Sequence, residues 1–538
     1  MAPLTSSFAG AQPDKIKAHL DDIEQQFYLN EDELKTITKQ FLLDFNKGLS
    51  EYGQAMAMIP TFVRGVPDGT ETGTFLALDL GGTNLRVCRV DLHGDKTFSL
   101  TQQKYKVSEA LKTGEVSTLF DYMADSVDAF LTEHSSADSP TNPTAPTDSP
   151  ILPLGLTFSF PVEQTALDEG FLLTWTKGFA AKNAIGKDVV KGLQNAFDRK
   201  HLHVKCVALV NDTVGALLSR AYTAGGCTLG AIFGTGTNGA YVEKIENLTK
   251  LGNHPAVALG GDMIVNTEWG AFDNARSTLP STPFDNKLDR ESINPRFQAF
   301  EKFISGMYLG EITRNMLLSF VDASPKPILF EGKSTPQLNT HYGLDTEMLS
   351  LVEGAWENEE HAADEASAPQ TNGSEVLDDS ALLDFTKPLS TENLRPNTVH
   401  RLQRVRQVVA KHLGFEAGAV SLRDAAIVRW ACSLVANRAA RLSATAVATV
   451  AVQMGVISGL GSDAKPTGKA KVIPVGVDGS LIQFYPKFEE RLREALRLLI
   501  GEEGEKMVTI GLAKDGSGVG AALCALVATR TAKPEASA

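Results

Sequence analysis

Cysteine is scarce. There are five in 538 residues, at Cys88, Cys206, Cys227, Cys432 and Cys524. The number is odd and no two stand at metal-ligand spacing. That argues against a zinc module or a disulfide framework and fits reduced thiols in a cytoplasmic protein. Basic charge is in deficit, 51 Lys and Arg against 65 Asp and Glu, for a net charge of -14. Such a chain repels nucleic acid and anionic membrane as a whole, so neither is an expected partner. The opening residues, MAPLTSSFAGAQPDK, lack a basic stretch followed by an apolar one, and no secretory signal is expected. One uncharged run could mislead, Leu442 to Ser462, LSATAVATVAVQMGVISGLGS. It reaches membrane-spanning length. Its Ala, Thr, Ser and Gly content, with Gln453, predicts instead a helix buried on all sides in a large core.

What is present is ordinary for a globular protein: 43% hydrophobic and 22% charged residues, on a chain long enough for roughly two to four domains. Phe27, Leu34, Ile37, Phe41, Leu42 and Phe45 recur at helical spacing and predict helix from Asp14 to Ser50. Strand-like runs follow at GTFLALDL and LRVCRVDL, then a helical run from Glu115 to Thr132. Ser135 to Pro150 is rich in Pro, Ser and Thr and reads as a surface loop. Strand character returns at ILPLGLTFSFPV, helix at Gly186 to Lys200, and strand at VKCVALVN. Trp356 to Asp379, WENEEHAADEASAPQTNGSEVLDD, reads as an exposed, disordered acidic insertion, or as a tail that docks a partner. Helices are expected from Asn393 to Gly455, then strands and a last helix. Alternation of this kind predicts an α/β architecture.

The chemistry concentrates in a few stretches. In LALDLGGTNLRV, Leu76 to Val87, glycines and hydroxyls close an apolar strand, as in a phosphate loop. Common phosphate loops lead into a helix. Here the following residues are strand-like, so the stretch predicts a β-hairpin with a phosphate-sized turn. Gly81 and Gly82 allow close backbone approach. Backbone N–H groups and the Thr83 hydroxyl can donate to phosphate oxygens. Asp79 can hold magnesium through water. A second such turn, Gly234 to Gly239, follows LGAIF about 150 residues later; the two would face each other across a cleft. LTFSFPVEQ and LLTWTKGF set Ser159, Thr176 and Lys177 among aromatics, which suits a sugar ring and its hydroxyls, with Lys177 able to neutralise a transferring phosphoryl. LVNDTVG brings Asn211 and Asp212 to a strand end, where an Asp can take a hydroxyl proton or cap the next helix. VNTEWGAFDN and FQAFEKFISGMYLGE hold Glu268 and Glu301 in apolar settings, where a carboxylate needs hydroxyl or amide partners.

Together and in this order, these stretches resemble the hexokinase family. GVDGSLIQFYPKF and KDGSGVGAAL near the C-terminus resemble its adenosine motif and closing helix, and the resemblance spans about residues 15 to 530. Its details are nearest those of fungal glucokinases. It implies the actin-like ATPase (ribonuclease H-like) fold, two α/β domains around a closing cleft. Residues 1–14 would be a flexible tail and 15–72 the large domain's first helices. The small domain would take 73–211, the large domain 212–505 with the insertion 356–379, and a helix at 506–530 would complete the small domain before a tail at 531–538. The resemblance implies that Asp212 is the general base and that Lys177 stabilises developing charge. Ser159, Thr176, Asn211, Asn238, Glu268, Gln298 and Glu301 would bind the sugar. Asp79, Gly81, Gly82, Thr83, Asn84, Arg86, Gly234, Thr235, Gly236, Gly479 and Ser480 would bind ATP. Mg2+ would arrive with ATP, held by Asp79 through water with no direct protein ligand. The implied reaction is ATP-dependent phosphorylation of D-glucose, and of hexoses such as mannose or fructose, at the 6-hydroxyl, the first step of glycolysis. A glucose sensor with little catalysis is the alternative, and a monomer or weak homodimer the expected assembly. Val162 stands where many members have Cys and Thr237 where some have Val; both flank the expected site and bear on sugar choice.

Overall fold

The computed structural model describes residues 13–134, 151–175, 178–357, 381–387, 389, 391–416 and 418–531. The loop 135–150, most of the acidic insertion, Thr176 and Lys177 lie outside them. The run around Asp79 alternates in register with the run that follows it. Thr72–Leu80 and Asn84–His93 pair antiparallel, with Leu80 opposite Leu85 and Asp79 opposite Arg86. The pair sits in a five-stranded sheet in the order Phe98–Lys106, Asn84–His93, Thr72–Leu80, Leu152–Phe158, Val204–Val210. The first three strands form an antiparallel meander, and the last two run parallel to Thr72–Leu80. Parallel neighbours need a crossover, supplied by the helices Val116–His134 and Val189–Arg199. Both faces of the sheet are therefore covered. Leu76, Leu78 and Leu80 pack with those two helices. Phe75, Ala77 and Cys88 pack with Asp212–Ala224 and Gly516–Thr531 on the other side.

A second sheet repeats the plan with six strands: Ile59–Pro60, Asp262–Asn266, Thr237–Lys244, Leu229–Phe233, Ile473–Asp478 and Val508–Leu512. Again an antiparallel set gives way to parallel strands. The echo between the two Gly/Thr/Asn turns is thus an echo of sheet position. The helix Asp212–Ala224 packs against this sheet as well as against the final helix. That contact is backbone on backbone: a Cβ on Gly215 would stand 2.2 Å from the Gly516 carbonyl oxygen, and one on Gly520 would stand 2.1 Å from the Gly215 Cα. Only glycines permit such an approach, and it fixes the helix that begins at Asp212.

The largest core lies on the far face of the second sheet, around the helix Leu422–Gln453. The uncharged run is buried there from Leu442 to Ala451, but the helix stops at Gln453, Ser458, Gly459 and Ser462 are exposed, and the chain turns into a short strand pair at Ile457–Ser458 and Lys465–Pro466. No helix among the described residues is long and apolar enough to cross a membrane. Four expected boundaries move. Helix begins at Pro13 rather than after a tail to residue 14. The first helical stretch breaks at Asn30, which caps Glu31–Ser50 with a capping box. Trp356 and Glu357 do not open the acidic insertion; they end the helix Thr346–Glu357. Trp356 is buried, with the Arg429 guanidinium 4.0 Å from its ring centre. The stretch after 506 is not all helix: Val508–Leu512 is an edge strand of the second sheet, and the closing helix starts only at Gly516 and runs to Thr531.

Candidate active site

Three parallel strands of the first sheet end level with one another. Leu80 lies opposite Phe158 and Thr157 opposite Val210. The residues that follow, Gly81, Ser159 and Asn211, therefore emerge at one edge, the carboxyl end where α/β sites open. Asn211 caps the helix Asp212–Ala224: its Oδ1 accepts from the Thr213 N–H at 3.0 Å and from the Thr213 hydroxyl at 2.6 Å. The capping role thus falls to Asn211, and Asp212, half-buried, is the first helical residue, where the helix dipole favours a negative charge. Trp175 lies beside this edge in an aromatic cluster, stacked on Phe179 with centres 5.4 Å apart and edge-on to Phe160 at 4.9 Å. Its indole N–H donates to the Ala181 carbonyl at 2.8 Å.

The first turn exposes Thr83 and Asn84, and the Gly81 N–H donates to the Asn84 carbonyl at 3.0 Å. Arg86 is held by carboxylates: its guanidinium meets Asp79 Oδ2 at 2.7 Å and Asp515 Oδ1 at 3.2 Å, and donates to the Ser517 hydroxyl. It ties the hairpin to the start of the final helix. Among the described residues, Asp79 Oδ1 has no such partner, so one oxygen of that carboxylate is available to a metal-bound water.

The second turn rests on the N-terminus of the helix Gly306–Val321. The N–H groups of Gly306 and Met307 donate to the carbonyls of Gly234 and Thr235 at 2.7 and 3.1 Å. Gly479, at φ 115°, presses its backbone on the same turn; a Cβ there would lie 2.4 Å from the Phe233 carbonyl carbon. Beside them opens a cavity of about 670 Å³, lined among others by Thr235, Met307, Thr346, Ser480 and Phe484. Its volume suits a nucleotide. Met307 and Phe484 lie within FQAFEKFISGMYLGE and GVDGSLIQFYPKF but were given no role of their own, and Thr346 carries no local sequence signature.

The carboxylates stand beside the second sheet, Glu268 just after the strand Asp262–Asn266 and Glu301 on the short helix Ala299–Ile304. Glu301 Oε2 accepts from the Thr237 N–H at 3.0 Å. Glu268 Oε1 accepts from Asn238 Nδ2 at 3.1 Å and from Asn266 Nδ2 at 2.8 Å. Glu268 and Gln298 both adopt left-handed backbone, at φ 54° and 53°, strain of a kind that clusters at functional sites. Asn266 closes the apolar strand Asp262–Asn266 and had no role from sequence.

The comparisons agree along the whole chain. Two family descriptions, both "Hexokinase", match residues 19–222 and residues 228–384 and 379–527. A glucokinase of Aspergillus niger is 40% identical over 530 residues, 94% of this chain and 96% of that one. A hexokinase of Emericella nidulans is 36% identical, covering 97% and 93%. The structure of a Schistosoma mansoni hexokinase complexed with glucose superposes with a TM-score of 0.74 at 31% identity, covering 96% of this chain and all of that one. The fold is the actin-like ATPase fold of two α/β sheets with their helices. The chain belongs to the hexokinase family.

Proposed function

We propose that the chain transfers the γ-phosphoryl of ATP to the 6-hydroxyl of D-glucose, with mannose and fructose as further acceptors, giving the hexose 6-phosphate and ADP. The observation that carries this reading is the level ending of three parallel strands, which brings Asp212 and the first phosphate turn out at the same edge of one sheet, on either side of the strand Leu152–Phe158. In this reading Asp212 takes the hydroxyl proton as the oxygen attacks, and the two turns hold the phosphates through backbone N–H groups. Glu268 and Glu301 accept from sugar hydroxyls, joined by Ser159, Asn211 and Gln298, and Asn238 by the support it gives Glu268. Thr176 would join them as a sugar ligand, and Lys177 would stabilise the developing charge. Adenosine takes the cavity beside Gly479 and Ser480. Mg2+ enters with ATP; Asp79 would hold it through water, and the ion would screen the phosphate charge. The five buried, unpaired thiols fit a reducing compartment, the cytoplasm.

A coupled ATP assay across hexoses tests the reading, with kcat/KM for glucose against fructose setting the preference. Asp212→Asn should lower kcat by about 10²–10⁴-fold while glucose still binds. An unchanged kcat would remove Asp212 from the chemistry.

A further inference from the structure

Asn238, implied as a sugar ligand, is occupied within the protein. Its amide donates to Asn266 Oδ1 at 2.8 Å and to Glu268 Oε1 at 3.1 Å, and its Oδ1 accepts the Gly239 N–H at 2.8 Å. That last bond fixes which way the amide points, and the two donations use both its hydrogens. Asn266 takes up the chain. It accepts from Asn238 and donates from Nδ2 to the same Glu268 oxygen at 2.8 Å. It is 5% exposed and belongs to a strand whose continuation is pinned. The next residue, Thr267, bonds the Gly239 carbonyl through both its N–H, at 2.9 Å, and its hydroxyl, at 2.8 Å. Glu268 follows in left-handed backbone.

Two amide N–H groups on one carboxylate oxygen stop the carboxylate turning about its last bond. A turn built only for stability has no need of a half-buried carboxylate there, since burying one is costly. We infer that Asn266 is a positioning residue for hexose recognition. It does not touch the sugar; it sets the plane of the Glu268 carboxylate that does. This rests on the hexose reading above.

The test compares Asn266→Asp and Asn266→Ser with the wild-type enzyme in the same ATP-coupled assay. Asn266→Asp keeps the acceptor for Asn238 and replaces the donor with a second carboxylate facing Glu268. Its glucose KM should rise by about tenfold or more at neutral pH, with kcat changed by less than about threefold and the ATP KM by less than about twofold. The rise should shrink as pH falls toward about 5.5, because a proton shared between the two carboxylates restores a donor. Asn266→Ser replaces the amide with a hydroxyl drawn back by about one bond length, out of reach of Glu268, without adding charge; its glucose KM should rise with no such pH dependence, and it serves alone if the Asp variant does not fold. Glucose KM values within about twofold of wild type would overturn the inference, as would a parallel loss in kcat and both KM values that tracks thermal stability. A wild-type chain that turns over ATP with no hexose would overturn the reading of the site, and this inference with it.

Discussion

Thr237→Val tests how the second turn is joined to the sugar side. Thr237 is 4% exposed and its hydroxyl accepts the indole N–H of Trp269 at 3.0 Å. Trp269 is fully buried and directly follows Glu268. Valine has the same shape and keeps the Thr237 backbone N–H that reaches Glu301, so the change removes an acceptor and little else. An indole N–H left buried without a partner costs about 1–3 kcal/mol. The added methyl returns about 0.8 kcal/mol through burial. A net loss of roughly 0.2–2 kcal/mol remains, which for a chain of 538 residues corresponds to a fall in Tm of at most about 2 °C. Calorimetry measures that fall, and the coupled assay reads the site: glucose KM should rise as the Trp269–Glu268 segment loosens, with ATP KM unchanged. A Tm equal to or above that of wild type together with an unchanged glucose KM would refute the reasoning, because it would mean that the indole finds another acceptor without disturbing the turn.

Arg438→Ala should be among the most destabilising single changes outside the site. Arg438 is fully buried and bonds Asp285 at 2.8 and 2.6 Å between the rings of Phe27 and Phe303. Losing it strands a buried carboxylate at about 3–5 kcal/mol, which denaturant unfolding will register; stability within about 1 kcal/mol of wild type would contradict the assignment. The thiols should be inert. All five are buried, and burial pushes Cys88 and Cys524 up to about 12 and Cys227 to about 11. A raised thiol pKa disfavours the reactive thiolate, so a disulfide reagent at pH 8 should label nothing until denaturant is added; native labelling at Cys88 would show the final helix lifting from the hairpin. Glucose should shift the Trp175 emission, and Trp175→Phe should abolish the shift. A response that survives the substitution would place the reporter elsewhere.

The two phosphate hairpins were legible because glycine, hydroxyl and amide residues interrupt strands of period two, and no helix-forming pattern follows either. Less was read from the same period than it contains. Asp79 and Arg86 were each assigned to ATP, but a turn that sets Leu80 against Leu85 also sets Asp79 against Arg86. The ion pair was therefore implicit in the turn length. Asn266 was missed for the opposite reason: one polar residue ending DMIVN looks like any strand end, and its partner lies 28 residues earlier at Asn238. Trp356 was misplaced because five acidic residues crowd the stretch just behind it, while the arginines that cover it are over 40 positions away. The edge strand Val508–Leu512 was lost because a short apolar run between two helices has no period long enough to read.

The distribution of contacts says how the two halves of the site are coupled. The second glycine turn and the carboxylates of Glu268 and Glu301 form one hydrogen-bonded body, since Thr237 holds Glu301 and Asn238 holds Glu268. The first turn forms another, bound through Arg86 to Asp79 and to the start of the final helix. Asp212 sits at the head of the helix that packs against both sheets and, through Gly215, on the backbone of that final helix. A sugar that engages Glu268 and Glu301 from one side and Ser159 and Asn211 from the other would draw these two bodies together about that helix. Water is too small to reach both. Binding energy of the sugar would thereby be converted into assembly of the phosphoryl-transfer site, which would separate a hexose hydroxyl from water as the acceptor.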